Sequence, residues 1–343
     1  MGRPGAKNLI TDIPGLKVGH AADERLRSGV TVLLPDQRAA CSVDVRGGGS
    51  GTRETDLLRP EASMPAVDAI CLSGGSAFGL DAASGVAHWL ARAGRGFAVH
   101  DRLVPIVPAA ILFDLTNGGD KDWGDEPPYR RLGWEACAAA TANGFSLGDT
   151  GAGFGARAAK LKGGLGSVSW VEDDGLMVGA MVAVNPVGSV LTPGNRGFWA
   201  APYEQDGEFG GHGLGLAPGG LDLGIAAEAR IGPPVTGGHT CIGIVATNAV
   251  LDKAALRHVA TMAHDGLARA IRPVHTPFDG DTLFALATGA WQDAGGDATR
   301  SWLIARVGSI AADCVARAVA RGVWAAAPQD GAASAGQVMR PDR

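Results

Sequence analysis

The stretch Thr236-Gly-Gly-His-Thr240-Cys-Ile-Gly-Ile-Val-Ala-Thr247 runs from a flexible Gly-Gly turn straight into an apolar strand that opens with a hydroxyl and a thiol. A threonine hydroxyl is a weak nucleophile unless a base lies beside it. Cutting the chain just before Thr240 would supply that base, because a freed α-amine has a pKa of roughly 7.7–8.0 and accepts protons near neutral pH. The same residues also suit an ordinary strand start, since threonine is a good β-former. The surrounding pattern must decide.

Working outward, Met177-Val-Gly-Ala-Met-Val-Ala-Val-Asn185 is a second apolar run with polar or glycine flanks, as expected of a strand buried on both faces. Val30-Thr-Val-Leu-Leu-Pro35, Cys41-Ser-Val-Asp-Val-Arg46 and Ala69-Ile-Cys-Leu-Ser73 read as further strands. Between them lie helical patterns. One spans Ala77 to Ala93, with Phe78, Ala82, Val86 and Leu90 at i, i+4 spacing. A second is capped by Asp252 and runs to about Ile271, and an Ala-rich third spans Trp302 to Val323. The glycine-rich stretch from Gly207 to Gly220 reads as a loop before a new strand. No repeat and no long linker interrupts this alternation, which predicts one layered α/β domain over residues 1–324. The small, polar segment 325–343 is expected to be disordered or loosely attached.

Composition narrows the function. The chain of 343 residues is 46% hydrophobic and 19% charged, which excludes a disordered protein, and its 53 glycines, without a collagen period, imply many tight turns. The net charge of −5 argues against nucleic acid or an anionic membrane as the main partner. No apolar run reaches the ~20 residues of a membrane span, and the start lacks a signal-peptide core. Five scattered cysteines without a CxxC pair suggest free thiols in a reducing cytoplasm. Eight scattered histidines without HExxH give no zinc motif, and neither metal nor organic cofactor is expected.

Generic site signals are weak. GxxxxGK[ST] is absent, because Lys162 is followed by Gly163-Gly164. Gly151-Ala-Gly-Phe-Gly-Ala156 fits a loose GxGxxA dinucleotide pattern with Glu172 and Asp173 beyond it, but no strong strand precedes it. GxSxG is absent as well, since Gly74-Gly-Ser-Ala-Phe-Gly79 is one residue too long.

Taken in order, Thr11-Asp-Ile-Pro-Gly-Leu-Lys-Val-Gly-His20, Val45-Arg-Gly-Gly-Gly49, Leu72-Ser-Gly-Gly-Ser-Ala-Phe-Gly-Leu-Asp81, Lys162-Gly-Gly-Leu-Gly-Ser, Val184-Asn-Pro-Val-Gly188, Gly238-His-Thr-Cys-Ile-Gly and His275-Thr-Pro-Phe-Asp-Gly-Asp-Thr282 carry a resemblance. The sequence resembles the P1 peptidase family, which holds L-aminopeptidase/D-amidase-esterases, β-peptidyl aminopeptidases and nylon-oligomer hydrolases. The resemblance runs from about Ile10 to Val323.

What it implies is an αββα sandwich resembling N-terminal nucleophile hydrolases, made as a precursor that cleaves itself before a Ser or Thr. Here that residue matches Thr240, giving fragments 1–239 and 240–343. His239 stands before the scissile bond, where relatives often have Asn or Gly. By the same resemblance Asn185 matches an oxyanion-stabilising asparagine, and Asp279 and Asp281 match the pair that orients the nucleophile's amine. Two aspartates with a threonine look more like nylon-oligomer hydrolases than like β-peptide relatives, which resemble Ser and Glu there. Lys160 is the candidate site lysine and Lys162 a scaffold lysine at the pocket. Ser73, Ser76, Phe78 and Phe113 are expected to line that pocket, with Phe113 standing where nylon-oligomer hydrolases carry a tyrosine.

The implied activity is hydrolysis of amide bonds in short peptides with a free amino terminus. The alternative substrate is a linear ω-amino-acid (6-aminohexanoate) oligomer. The implied assembly is a homotetramer or larger homo-oligomer. Two other classes compete: acyl transfer to an amine, and a non-catalytic nucleotide-binding protein on the same fold, resting on Gly151–Ala156.

Overall fold

The runs at Met177 and Ile242 are the inner strands of one sheet, and what covers them explains their composition. A computed structural model of the chain describes residues 2–216, 221, 223–226, 228–230, 238–292, 299–329 and 331–339. Its strands begin with β1 (Arg3–Pro4), β2 (Leu16–Asp23), β3 (Ser28–Pro35), β4 (Ala40–Val45), β5 (Gly51–Arg53), β6 (Ile70–Ser73), β7 (Phe97–Val99) and β8 (Arg102–Val104). They continue with β9 (Ala109–Ile111), β10 (Arg157–Ala158), β11 (Leu161–Lys162), β12 (Gly164–Val171), β13 (Met177–Val184), β14 (Ile242–Ala249) and β15 (Thr282–Trp291). The helices are α1 (Ala82–Arg92), α2 (Tyr129–Ala138), α3 (Lys253–Ala270), α4 (Arg300–Trp324) and the short α5 (Ala335–Val338).

One sheet has the order β1-β12-β13-β14-β15-β4 and a second the order β2-β3-β6-β9-β5. Side chains alternate across the inner strands. Val178, Ala180, Val182 and Val184 of β13 face a core shared with α3 and α4, together with Val245 of β14. Met181 and Ala183, with Ile242, Ile244 and Ala246, face Leu33, Ile70, Leu72 and Ala110 of the second sheet. On the far side of that sheet Val30, Val32 and Cys71 pack on Val86 and Leu90 of α1 and Leu132 and Ala136 of α2. The layers are therefore helix, sheet, sheet, helix, and strands buried on both faces need apolar residues at every position.

Helix starts follow their caps. Asp252 accepts from Ala255 N at 2.9 Å to open α3, and Thr299 accepts from Trp302 N at 3.3 Å to open α4. The helix read from Ala77 begins later, at Ala82. Gly75 and Ser76 both take left-handed backbone (φ +85° and +52°), and residues 76–81 wind as a 3-10 turn.

The expectation of a loose segment after residue 324 needs correction. Ala332, Ala335 and Met339 are buried, and Lys162 N donates to Ala333 O at 2.9 Å, so the tail packs through residue 339 on the α4 side of the core. Residues 340–343 lie outside the described residues, as do 217–220 of the glycine-rich loop. All five cysteines are free and buried. Among the described residues no helix is long and apolar enough to cross a membrane.

His20 on β2 lies 2.9 Å from Thr31 Oγ1 through its Nδ1 and meets Phe145 edge-on. Burial lowers its pKa to about 4. The unfolded chain therefore takes up a proton near pH 6.5 that the folded chain refuses until about pH 4. The resulting cost is absent above pH 6.5 and grows as pH falls, to on the order of 2 kcal/mol by pH 4.5. We expect His20→Gln, which cannot take that proton, to lose less melting temperature than wild type between pH 7 and 4.5. Equal losses in thermal scans would count against it.

Candidate active site

Strand register brings the sequence-predicted residues to one edge. β14 and β15 run parallel with Ile242 opposite Thr282, and the pairing extends back to a bridge between His239 and Asp279. β13 runs antiparallel with Ala183 opposite Ile242, so its exit at Asn185 arrives at the same edge. Thr240 N–H donates to Asn185 O at 2.8 Å. Thr240, Asn185, Asp279 and Asp281 are all buried.

Around the 239–240 peptide the polar groups are closely matched. His239 O accepts from Gly280 N–H at 3.1 Å and from the Thr240 hydroxyl at 2.5 Å. Asn185 Oδ1 accepts from Arg157 N at 2.9 Å, which fixes the orientation of its amide. Its Nδ2 then donates to Phe113 O at 3.1 Å, leaving the second N–H for another acceptor. Asp281 Oδ1 accepts from Cys241 N at 2.8 Å, and Oδ2 accepts from His275 Nδ1 at 2.7 Å. Asp279 is held by Val187 N (3.2 Å), Thr276 N (2.9 Å) and Thr276 Oγ1 (2.7 Å). Burial, then the neighbouring charge of Asp281, pushes the Asp279 carboxyl above the usual carboxylate range.

The Gly47–Gly49 turn, which sequence reading left without a role, backs this loop. Gly49 N donates to Asp279 O at 2.8 Å and Arg46 N to Asp281 O at 2.8 Å. Gly47 has φ +85°, and a Cβ there would lie 2.3 Å from Asp279 O, so only glycine fits. His275 and Thr276 were likewise missed as individual residues, although their motif was noted.

His239 is buried, its Nδ1 has no hydrogen-bond partner, and its pKa falls to about 4, first through burial and then through Arg230. It is neutral at physiological pH. Beside it opens a narrow crevice lined by Phe113, Asp114, Arg157, Asn185, Arg230 and Gly238. Thr236 and Gly237, the start of the predicted turn, lie outside the described residues.

Other predicted residues are elsewhere. Of the expected pocket residues only Phe113 lines this crevice. Ser73 is buried and donates inward to Gly74 O at 2.9 Å, and Ser76 N is taken up by Leu112 O at 3.0 Å. Phe78 is 48% exposed and packs edge-on against Trp123. Ser73 ends β6, while Ser76 and Phe78 lie in the 3-10 turn, because the helix start expected to present them lies further along. Lys160 is exposed in the turn between β10 and β11. Lys162 is buried, its ammonium bonded to Asp149 at 2.9 Å and to the carbonyls of Gly153 and Gly163. That arrangement is a scaffold, not a pocket wall. Residues 151–153 form a 3-10 turn followed by the β10–β11 hairpin, and Glu172 pairs with Arg306 at 3.2 Å. The strand–turn–helix context that a dinucleotide loop needs is missing there. Among the described residues no group of three or more His, Cys, Asp or Glu is placed to hold a metal ion.

A family model, Peptidase family S58, matches residues 8–336. The chain belongs to peptidase family S58. It is 46% identical to an uncharacterized aminopeptidase of Mycobacterium tuberculosis over 342 residues, covering 94% of this chain and 96% of that one. It is 29% identical to the 6-aminohexanoate-oligomer endohydrolase of Paenarthrobacter ureafaciens, covering 83% and 76%. The structure is similar to that of an L-aminopeptidase D-Ala-esterase/amidase from Ochrobactrum anthropi, described as a variant of the Ntn hydrolase fold. That match has a TM-score of 0.67 at 20% identity, over 95% and 88% of the two chains. The expected family and the αββα, Ntn-type layering are thus both found, and the S58 chain is an enzyme of the aminopeptidase/amidase type.

Proposed function

We propose that this S58 enzyme cuts its own 239–240 bond and then uses the freed Thr240 amine and hydroxyl to hydrolyse amides of short peptides with a free amino terminus. The observation that carries it is the pair of donors on His239 O, Gly280 N–H and the Thr240 hydroxyl. In self-cleavage, Thr240 Oγ1 adds to the His239 carbonyl carbon and gives up its proton. Gly280 N–H supports the oxyanion on His239 O. The C–N bond then breaks, the nitrogen takes a proton, and water hydrolyses the resulting ester. This leaves a carboxyl at His239 and an amine at Thr240.

In turnover, the Thr240 amine takes the hydroxyl proton, directly or through one water, as Oγ1 attacks the substrate carbonyl. The free Nδ2–H of Asn185 stabilises the oxyanion. The leaving amine departs protonated, and water releases the acid from the acyl-Thr240 ester. Asp281 keeps the backbone next to Thr240 in place through Cys241 N–H. Phe113 offers no hydroxyl, so none is assigned at that position.

A second substrate reading, ω-amino-acid oligomers, is favoured by the paired aspartates and by the 6-aminohexanoate-oligomer relative. The comparison that separates them is p-nitroaniline release from aminoacyl anilides against hydrolysis of 6-aminohexanoate oligomers. We expect the anilides to turn over with the higher kcat/KM. Activity on the oligomers alone would reverse the order, and activity on neither would sink both.

A further inference from the structure

Asp281 Oδ2 has its closest partner in His275, whose ring Nδ1 lies at 2.7 Å and whose backbone N–H lies at 3.3 Å. His275 reaches it from a left-handed backbone, φ +55°, which is strained for a residue with a side chain. The conformation is one that histidine, asparagine and aspartate tolerate better than most. Behind it the ring of His264 on α3 meets His275 edge-on, with centroids 4.8 Å apart. His264 Nε2 is in turn 3.0 Å from Asp44 O and 3.8 Å from Asp44 Oδ2. The Asp44 carboxylate pairs with Arg46 at 2.8 Å and Arg257 at 2.6 Å. Thus a line of polar side chains, Asp281, His275, His264 and Asp44, leads from the Thr240 strand to two arginines. The two histidine rings meet by packing alone, since His264 Nδ1 and His275 Nε2 have no hydrogen-bond partner, and the mechanism so far uses only the first member of the line.

We propose that His275 is a positioning residue for the Thr240 chemistry. Its Nδ1–H holds Asp281 Oδ2, so that Oδ1 stays on Cys241 N–H and the carboxyl keeps its place beside the amine freed at Thr240. The groups that meet this ring are the Asp281 carboxyl on its own loop and the His264 ring on α3; Asp44, with Arg46 and Arg257 paired to it, stands behind His264. Without the ring donor, Asp281 keeps only the backbone N–H groups of Cys241 and residue 275, and Oδ2 loses its shortest contact, so the carboxyl is no longer held in one orientation. The inference rests on the Thr240 reading.

The test uses purified mature enzyme and an aminoacyl p-nitroanilide. His275→Gly suits the backbone angle and removes the donor, whereas His275→Asn suits it and offers a side-chain N–H close to the position of Nδ1. We expect the glycine variant to lose kcat by roughly 10- to 100-fold with KM little changed, and the asparagine variant to stay within about threefold of wild type. His275→Asp has the shape of asparagine but only an acceptor, and is expected to behave like the glycine variant. It keeps the comparison readable if the glycine variant fails to fold. Wild-type kcat in the glycine or aspartate variant, or equal losses in asparagine and aspartate variants, would overturn the positioning role. Fragment masses separate this from the parent reading. A wild-type chain that neither cleaves nor hydrolyses overturns both, whereas an active, cleaved wild type confines any failure to His275.

Discussion

Under denaturing conditions wild-type protein separates into fragments 1–239 and 240–343, while Thr240→Ala remains one chain and loses amide hydrolysis by on the order of 10³-fold or more. That is the largest effect expected in this molecule, because one residue serves twice. In the proposed scheme its hydroxyl attacks His239 once and the substrate in every later cycle, and its nitrogen becomes the base. The site is already assembled for the first event, with His239 O bonded to Gly280 N–H and the Thr240 hydroxyl. Thr240→Ser keeps both groups and should still yield two fragments. Full anilide hydrolysis by Thr240→Ala would end the nucleophile reading. An uncut wild type after long incubation would mean that the neutral, buried His239 blocks processing or that Thr240 is only a strand residue, and an uncut chain without amidase activity would end the self-cleavage reading.

Asn185→Ala separates the two events. In the proposed scheme the donor on His239 O is Gly280 N–H and not Asn185, so this variant should still fragment. Its kcat should fall by roughly 10²–10³-fold, the usual cost of about 2.7–4 kcal/mol for one lost oxyanion donor, with KM much less affected. Asn185→Asp is the companion, because it keeps the acceptor that Arg157 N uses but cannot donate as Nδ2 does. Mass analysis of both variants beside their steady-state kinetics gives the answer. Unchanged kcat in both would remove Asn185 from turnover, and loss of fragmentation would show that it acts in the precursor instead.

Much of this was legible in residues 177–185 and 241–247, because strands enclosed by helices on one face and a sheet on the other must be apolar throughout. Asp252 was equally legible as a cap, since a carboxylate before an amphipathic run has a local reason to be there. The meeting of Thr240 with Asp279 was not readable from local pattern. It depends on a parallel pairing of two strands separated by α3, and only the family resemblance pointed to it. The helix start at Ala77 was read too early, because left-handed Gly75 and Ser76 lead into a 3-10 turn that holds Ser76 and Phe78. Lys160 and Lys162 could not be separated by spacing. What separates them is Asp149, which lies far enough away in sequence to leave no local signal. The tail misled through its small, polar composition, which suits close packing on α4 as well as it suits disorder.

β14, which begins two residues after Thr240, is bonded on both sides, to β13 and to β15, in the interior of a six-stranded sheet. A cut at its start leaves one piece carrying β14, β15, α3 and α4, while the other carries β1, β4, β12 and β13. Before the cut, refolding is first order, a single chain finding itself. Afterwards two chains must meet, so recovery becomes second order and the melting temperature rises with protein concentration. Maturation is in that sense a ratchet. The precursor is selected for how well it folds, and the working enzyme for how slowly it comes apart.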